Sequence, residues 1–176
     1  MNRQLAFTLV ELMVTLVVLG FALMIAVPSF TSLSRGNRTV SETNALVGAL
    51  NLARSEAAKR NTNVTVCTSS DGATCAPNGL GWDSGWIVFE DNSVPLGQVD
   101  AGDTVLRVFG KLSQANQISA SATLANSITY QSNGFSTAQG HLILCDDSGT
   151  ASARDISVSR TGRITLSTGG GTCTAP

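Results

Sequence analysis

Few side chains in this sequence have the type and spacing that chemistry needs. His141 is the single histidine. A Ser–His–Asp relay would need it, but no G-x-S-x-G elbow is present, so a histidine at a strand edge is expected. Asp91, Asp100 and Asp103 bracket a stretch, Asn92 to Asp103, that holds Pro95, Gly97 and Gly102. Carboxylates there could offer calcium its oxygen ligands. The spacing is not that of an EF-hand, so the reading is a solvated acidic loop. Cys67, Cys75, Cys145 and Cys173 include no C-x-x-C, and with one histidine they argue against zinc. No metal, cofactor or catalytic residue is expected. Four cysteines allow three pairings. Nearness favours Cys67 with Cys75, leaving Cys145 for Cys173. Arg160 and Arg163 bracket a hairpin turn, with Arg154 one strand away. Three guanidiniums at one end could clamp a phosphate backbone. The bland alternative is a solvated turn or a salt-bridge site between subunits.

These groups must be positioned by two very different halves of the chain. Leu12 to Phe30 reads LMVTLVVLGFALMIAVPSF and carries no charge. A helix that crosses hydrocarbon needs ~20 apolar residues, and this run qualifies. Glu11 stands at its start and Pro28 inside it. A carboxylate in lipid costs several kcal/mol unless paired, so Glu11 demands a partner. Beyond the run, Leu46, Leu50, Ala53 and Ala57 recur at helical spacing and make one apolar stripe. Pro28 and Gly36 are weak points for a helix. Unbroken from Phe7 to Arg60, it would extend ~80 Å at ~1.5 Å per residue.

After Asn61 the pattern changes to short strands between Gly, Asn, Asp and Ser clusters. The expected strands are Thr62–Cys67, Trp86–Glu90, Thr104–Phe109, Ser127–Gln131, Leu142–Asp146, Asp155–Ser159 and Arg163–Ser167, in an antiparallel meander. Trp82 and Trp86 are expected in the core at the sheet edge.

Charge adds a constraint. Charged residues are only 13 % of the chain and apolar ones 43 %. Average domains carry about 25 % charged residues. Disorder goes with low hydrophobicity and high net charge, so it is excluded. The formal net charge is −1, which excludes a strongly basic nucleic-acid binder at the level of the whole chain. By segment, 31–60 is basic, 61–150 is acidic and the C-terminal end is basic again.

The first thirty residues carry a resemblance. Met1-Asn-Arg-Gln-Leu-Ala6 is followed by Phe7-Thr-Leu-Val-Glu11-Leu12 and the long apolar run. This resembles the class III signal of type IV prepilins and type II secretion pseudopilins, with Ala6 where the family usually has Gly. The resemblance implies cleavage between Ala6 and Phe7 by a prepilin peptidase and methylation of the new Phe7 amine. It also supplies Glu11 with a partner, the Phe7 amine of a neighbouring chain. Arg3 precedes the span while Arg35 and Arg38 follow it, so loop charge does not set a cytoplasmic N-terminus. That orientation comes from the resemblance.

The head extends it. Cys67 to Cys75, Gly85-Trp86-Ile-Val-Phe-Glu-Asp91, Val105-Leu-Arg107, Leu142-Ile-Leu-Cys145, Ala153-Arg154-Asp-Ile, Gly162-Arg163 and Cys173 follow in order. This resembles the FimT/FimU/GspH family of minor pilins and pseudopilins. The fold implied is α+β and type IV pilin-like, a long N-terminal helix packed on an antiparallel β-sheet head. The division implied is a leader at 1–6, a transmembrane and filament-core helix at 7–30, an amphipathic half at 31–61 and a periplasmic head at 62–176. The implied function is structural: a subunit of a type IV pilus or type II secretion pseudopilus that primes or caps it. Its partners would be other minor subunits, the major pilin, the prepilin peptidase and the bacterial inner membrane. In an oxidising periplasm the cysteines would form disulfides. DNA uptake is the alternative function. DNA-binding members carry Gly-Arg-x-Arg where this chain has Gly162-Arg163-Ile164-Thr165.

Overall fold

The computed structural model describes residues 8–76, 80–113, 116–146, 152–169 and 173. The chain divides into two compact units, Met1–Arg38 and Thr39–Pro176, which are taken in turn.

Helix α1 spans Leu9–Arg60. Its start is capped by Thr8, whose Oγ1 accepts the backbone N–H of Glu11 at 3.2 Å. Threonine followed three residues on by glutamate is the sequence of a capping box. Glu11 in the first turn also suits the positive end of the helix dipole. In the first unit Leu9–Val27 is long and apolar enough to cross a membrane, and none of it is buried. The expected weak points do not end the helix: it is assigned through both Pro28 and Gly36.

In the second unit, Leu46, Leu50, Ala53 and Ala57 are fully buried, as the stripe predicts. Ala49 joins them, and Thr39 and Thr43 extend the buried face toward the N-terminus. The strands are β1 (Val64–Thr68), β2 (Trp86–Glu90), β3 (Thr104–Phe109), β4 (Gln117–Ala120), β5 (Ser127–Tyr130), β6 (Gly140–Cys145), β7 (Arg154–Val158) and β8 (Ile164–Thr168).

The expected meander is only half right. Among the described residues there are two four-stranded sheets, ordered β3-β2-β1-β5 and β4-β6-β7-β8, and every pair is antiparallel. In the first, β5 returns to the open side of β1. Strand β4 is not among the expected strands. Its segment, Gln-Ile-Ser-Ala, buries only Ile118 and is too short to show alternation. Pairing with β6, Ile118 opposite Leu144, makes it a strand.

Both sheets and the helix share one core. Val64, Val66 and Val88 from the first sheet meet Leu142, Leu144, Ile156 and Val158 from the second, around the helix stripe. Side chains alternate across a strand, so β1 and β2 turn Cys67, Ile87 and Phe89 to the other face. There they form a second cluster with Cys75, Val99 and Val105. Trp82 is buried and its Nε1 donates to the Leu124 carbonyl at 2.9 Å. Trp86 is buried and stacks on Phe109, with centroids 5.4 Å apart.

Candidate functional site

The residues expected to act fall into two sets. The N-terminal set comprises Ala6, Phe7, Glu11 and Pro28. Ala6 and Phe7 lie outside the described residues. Glu11 sits in the first turn of α1, where Thr8 holds its backbone N–H. Pro28 lies within α1. The apolar side chains around this segment are exposed, from Leu9 through Val27 and on to Phe30. An uncovered apolar surface of this extent marks a lipid or protein contact.

The head set begins with the cysteines. Cys67 bonds Cys75 and Cys145 bonds Cys173, with Cα atoms 5.6 and 5.8 Å apart. The first bridge closes a loop that Asp71 already organises. Its Oδ1 accepts the N–H groups of Ala73 and Thr74, each at 2.9 Å, and Oδ2 accepts the Thr74 hydroxyl at 2.6 Å. Those hydrogen bonds, the Thr74 hydroxyl foremost, hold the Asp71 carboxyl far below its ordinary range.

The three arginines are not brought together. Arg160 and Arg163 are exposed on either side of a turn closed by Ser159 N–H to the Arg163 carbonyl at 3.0 Å. Arg154 is at the opposite end of β7, opposite Thr168. At ~3.3 Å per residue it stands about 15 Å from the turn. A three-guanidinium clamp is therefore not formed, because the length of β7 separates its members.

The turn is held from behind by a residue the sequence reading passed over. Arg54 donates from Nε to the Gly134 carbonyl and from Nη2 to the Thr161 carbonyl, both at 3.1 Å. It thereby ties α1 to the turn at Gly134 and the turn at Gly162. Gly162 has φ of +73° and Gly134 of +77°, a conformation glycine adopts freely. Glu42 ties the other side of the helix down. Its carboxylate accepts the Ser113 N–H at 3.0 Å and the Asn116 side-chain amide. Neither Arg54 nor Glu42 lies on the apolar stripe, so periodicity gave no signal for them.

The acidic loop differs from expectation. Asp91 is fully buried, not solvated. Its Oδ2 accepts the Thr65 hydroxyl at 2.6 Å and the Gly97 N–H at 2.7 Å, and Thr129 hydrogen-bonds Thr65 in turn. Burial pushes the Asp91 carboxyl above its ordinary value. Asp103 accepts the N–H groups of Asn92 and Asp100. These carboxylates fold the loop onto the open face of the first sheet. Among the described residues no group of three His, Cys, Asp or Glu side chains is placed to hold a metal.

His141 is exposed on β6, with Nδ1 3.0 Å from Asp155 Oδ1. Ser157 lies opposite it, but its hydroxyl is bonded to that of Thr165. The pieces of a relay are present without the serine–histidine link that would activate a nucleophile.

Comparison with known proteins follows this division. Residues 1–27 match the model of the prokaryotic N-terminal methylation motif. Residues 42–162 match the model of type II transport protein GspH. No curated protein matches the sequence. Among solved structures, the type IV minor pilin FimU of Pseudomonas aeruginosa is similar in two crystal forms at 20 % identity. One has a TM-score of 0.58 and covers 81 % of this chain and 95 % of that one. The other has a TM-score of 0.55 and covers 76 % and 93 %. The minor pseudopilin EpsH from the type 2 secretion system of Vibrio cholerae is similar at 12 % identity and a TM-score of 0.53. It covers 76 % of this chain and 99 % of that one. At these identities the likeness is one of fold, a long N-terminal helix followed by antiparallel sheets. The family match spans most of the head and part of the helix, and with it the chain belongs to the GspH family of minor pilins and pseudopilins.

Proposed function

We propose that this chain is a non-enzymatic building block of a type IV pilus or type II secretion pseudopilus, entering the filament as a minor subunit that primes or caps it. One observation carries the reading: a single chain joins an N-terminal methylation motif over 1–27 to a GspH head over 42–162. The uncovered apolar surface of Leu9–Val27 supports it, since such a helix is stable only in lipid or among other helices. In this reading the protein first sits in the inner membrane with its head in the periplasm. A prepilin peptidase cuts between Ala6 and Phe7, and the Phe7 amine is methylated. Glu11 of an incoming subunit pairs with that amine on a neighbour and sets the axial register, with Pro28 further along the same core helix.

The head supplies contacts to neighbouring subunits. Its two disulfides fit an oxidising compartment. Mass spectrometry of the protein isolated from cells tests this most directly. The expected product starts at Phe7, carries one added methyl group and lacks four thiol hydrogens. A product that starts at Met1 with free thiols would overturn the reading. Deletion of the gene is expected to reduce surface piliation or protein secretion, with recovery on complementation.

A further inference from the structure

We infer that the outer edge of β8 (Ile164–Thr168) is a docking edge that an extended segment of a different filament subunit extends by one antiparallel strand. The hydrogen-bond phase fixes which groups are on offer. Ser159 N–H bonds the Arg163 carbonyl, and Gly169 N–H bonds the Ala153 carbonyl. Opposed residues in an antiparallel pair alternate between bonded and non-bonded. Thr165 and Ser167 therefore face β7, and Ile164, Leu166 and Thr168 turn their N–H and C=O groups outward. Among the described residues nothing meets those groups, since β8 is the last strand of its sheet.

The other three sheet edges are blunted. The β3 edge has a register irregularity at Val88/Phe89 and carries Arg107 folded over the Phe109 ring at 5.3 Å. The outer side of β5 is closed by Thr137 N–H to the Thr129 carbonyl and by the bridge of Tyr130 with Ser136. Strand β4 lies against the short 3-10 turn Trp82–Ser84. Charge, bulges and covering loops are the means by which proteins close an edge, and β8 has none of them within its five residues.

The side chains state what kind of strand fits. Leu166 sits opposite Ile156 on the core-facing side of the sheet, yet it is 46 % exposed while Ile156 is fully buried. An added strand with apolar residues at alternate positions would continue the core layer over it. Arg160 and Arg163 are exposed at the start of β8 and make no ion pair among the described residues. A carboxylate at the C-terminal end of an antiparallel partner would lie beside Arg163. The β8 of a second copy carries no carboxylate, so it leaves the arginines unanswered. The fitting partner is thus an alternating segment with an acidic C-terminal end, bound by strand addition. The assembly reading supplies only where that partner comes from; the edge itself is tested without a filament.

The test uses the full chain in detergent micelles and a labelled peptide, Thr-Val-Thr-Val-Thr-Val-Glu, with fluorescence anisotropy as the readout. Saturable binding is expected. Leu166→Pro removes one outward N–H that the head does not use and should weaken binding about tenfold. Thr168→Pro is the second such variant, should the first not fold. Arg163→Glu should also weaken binding, and Val108→Lys on the blunted β3 edge should leave it unchanged. Absence of saturation up to about 1 mM with a folded protein would overturn the inference. So would binding indifferent to both proline variants. So would sedimentation that shows the chain dimerising through β8, because the occupant would then be a second copy.

Discussion

Gly162 stands where any side chain would run into the guanidinium of Arg54. A Cβ placed there would come within 3.0 Å of Arg54 Nε and would overlap the Gly134 carbonyl oxygen that Nε holds. Three elements far apart in sequence meet at this point: α1, the turn after β5 and the turn between β7 and β8. Gly162→Ala therefore carries two penalties, a residue with a side chain at φ of +73° and a clash with backbone. A loss of about 2–4 kcal/mol is expected. Arg54→Ala removes two hydrogen bonds from a charged donor and should cost about 1–3 kcal/mol, discounted for its partial exposure. Because both variants disrupt one clasp, the double variant should lose less than the sum. Denaturant unfolding of the four proteins of that cycle checks this, and strict additivity would show that the clasp is not a unit.

The two disulfides should contribute unequally. Cys67–Cys75 spans 8 residues and Cys145–Cys173 spans 28. The chain-entropy relation gives ~2.5 kcal/mol for the shorter loop and ~3.6 kcal/mol for the longer. The Cys145→Ser/Cys173→Ser variant is thus expected to melt below the Cys67→Ser/Cys75→Ser variant. The reverse order of melting temperatures would contradict this account.

Much of this was legible in the sequence, and the omissions share a cause. The apolar stripe Leu46, Leu50, Ala53, Ala57 follows from periodicity alone, and all four residues are buried. Strands that are mostly apolar and bounded by turn-forming residues, such as Trp86–Glu90 and Thr104–Phe109, end where the sequence predicts. Strand β4 and the division into two sheets were not legible, because pairing across distant segments leaves no local pattern in four residues. The same holds for Asp91. Its type and its loop suggested solvent, but its burial depends on Thr65 and Thr129 from two other strands. Arg154 looked close to Arg160 by number, while an extended strand carries it away.

Two carboxyls should give the head opposite responses to pH. Burial raises Asp91 above its ordinary value. Between the unfolded and the raised folded pKa, the folded chain holds the proton more tightly, so stability falls as pH rises through that interval. Asp71 is shifted the other way, chiefly by the Thr74 hydroxyl. Its contribution is present above the ordinary carboxylate value and is lost as pH falls below it. Asp91→Asn should therefore flatten the decline above that value, and Asp71→Asn should flatten the loss below it. Urea midpoints taken at intervals from about pH 3 to 7 separate the two. Identical profiles for wild type and Asp91→Asn would refute the assignment.

Thr8 and Glu11 allow the charge at the start of α1 to be separated from the structure it helps to build. The observed bond runs from the Glu11 backbone N–H to the Thr8 hydroxyl, so it survives any change to the Glu11 side chain. Glutamine is also accepted at the third position of a capping box. Glu11→Gln thus keeps the helix start and removes only the carboxylate. Thr8→Ala does the converse, weakening the cap by about 1 kcal/mol and leaving the charge. If Glu11 acts by pairing with the Phe7 amine of a neighbour, Glu11→Gln should stay at wild-type levels in the membrane yet fail to enter filaments. Thr8→Ala should enter them nearly as well as wild type. Immunoblots of membrane and sheared-filament fractions from cells that carry each variant provide the measurement. Incorporation of Glu11→Gln at wild-type levels would remove the pairing role, and equal failure of both variants would assign the effect to helix integrity instead.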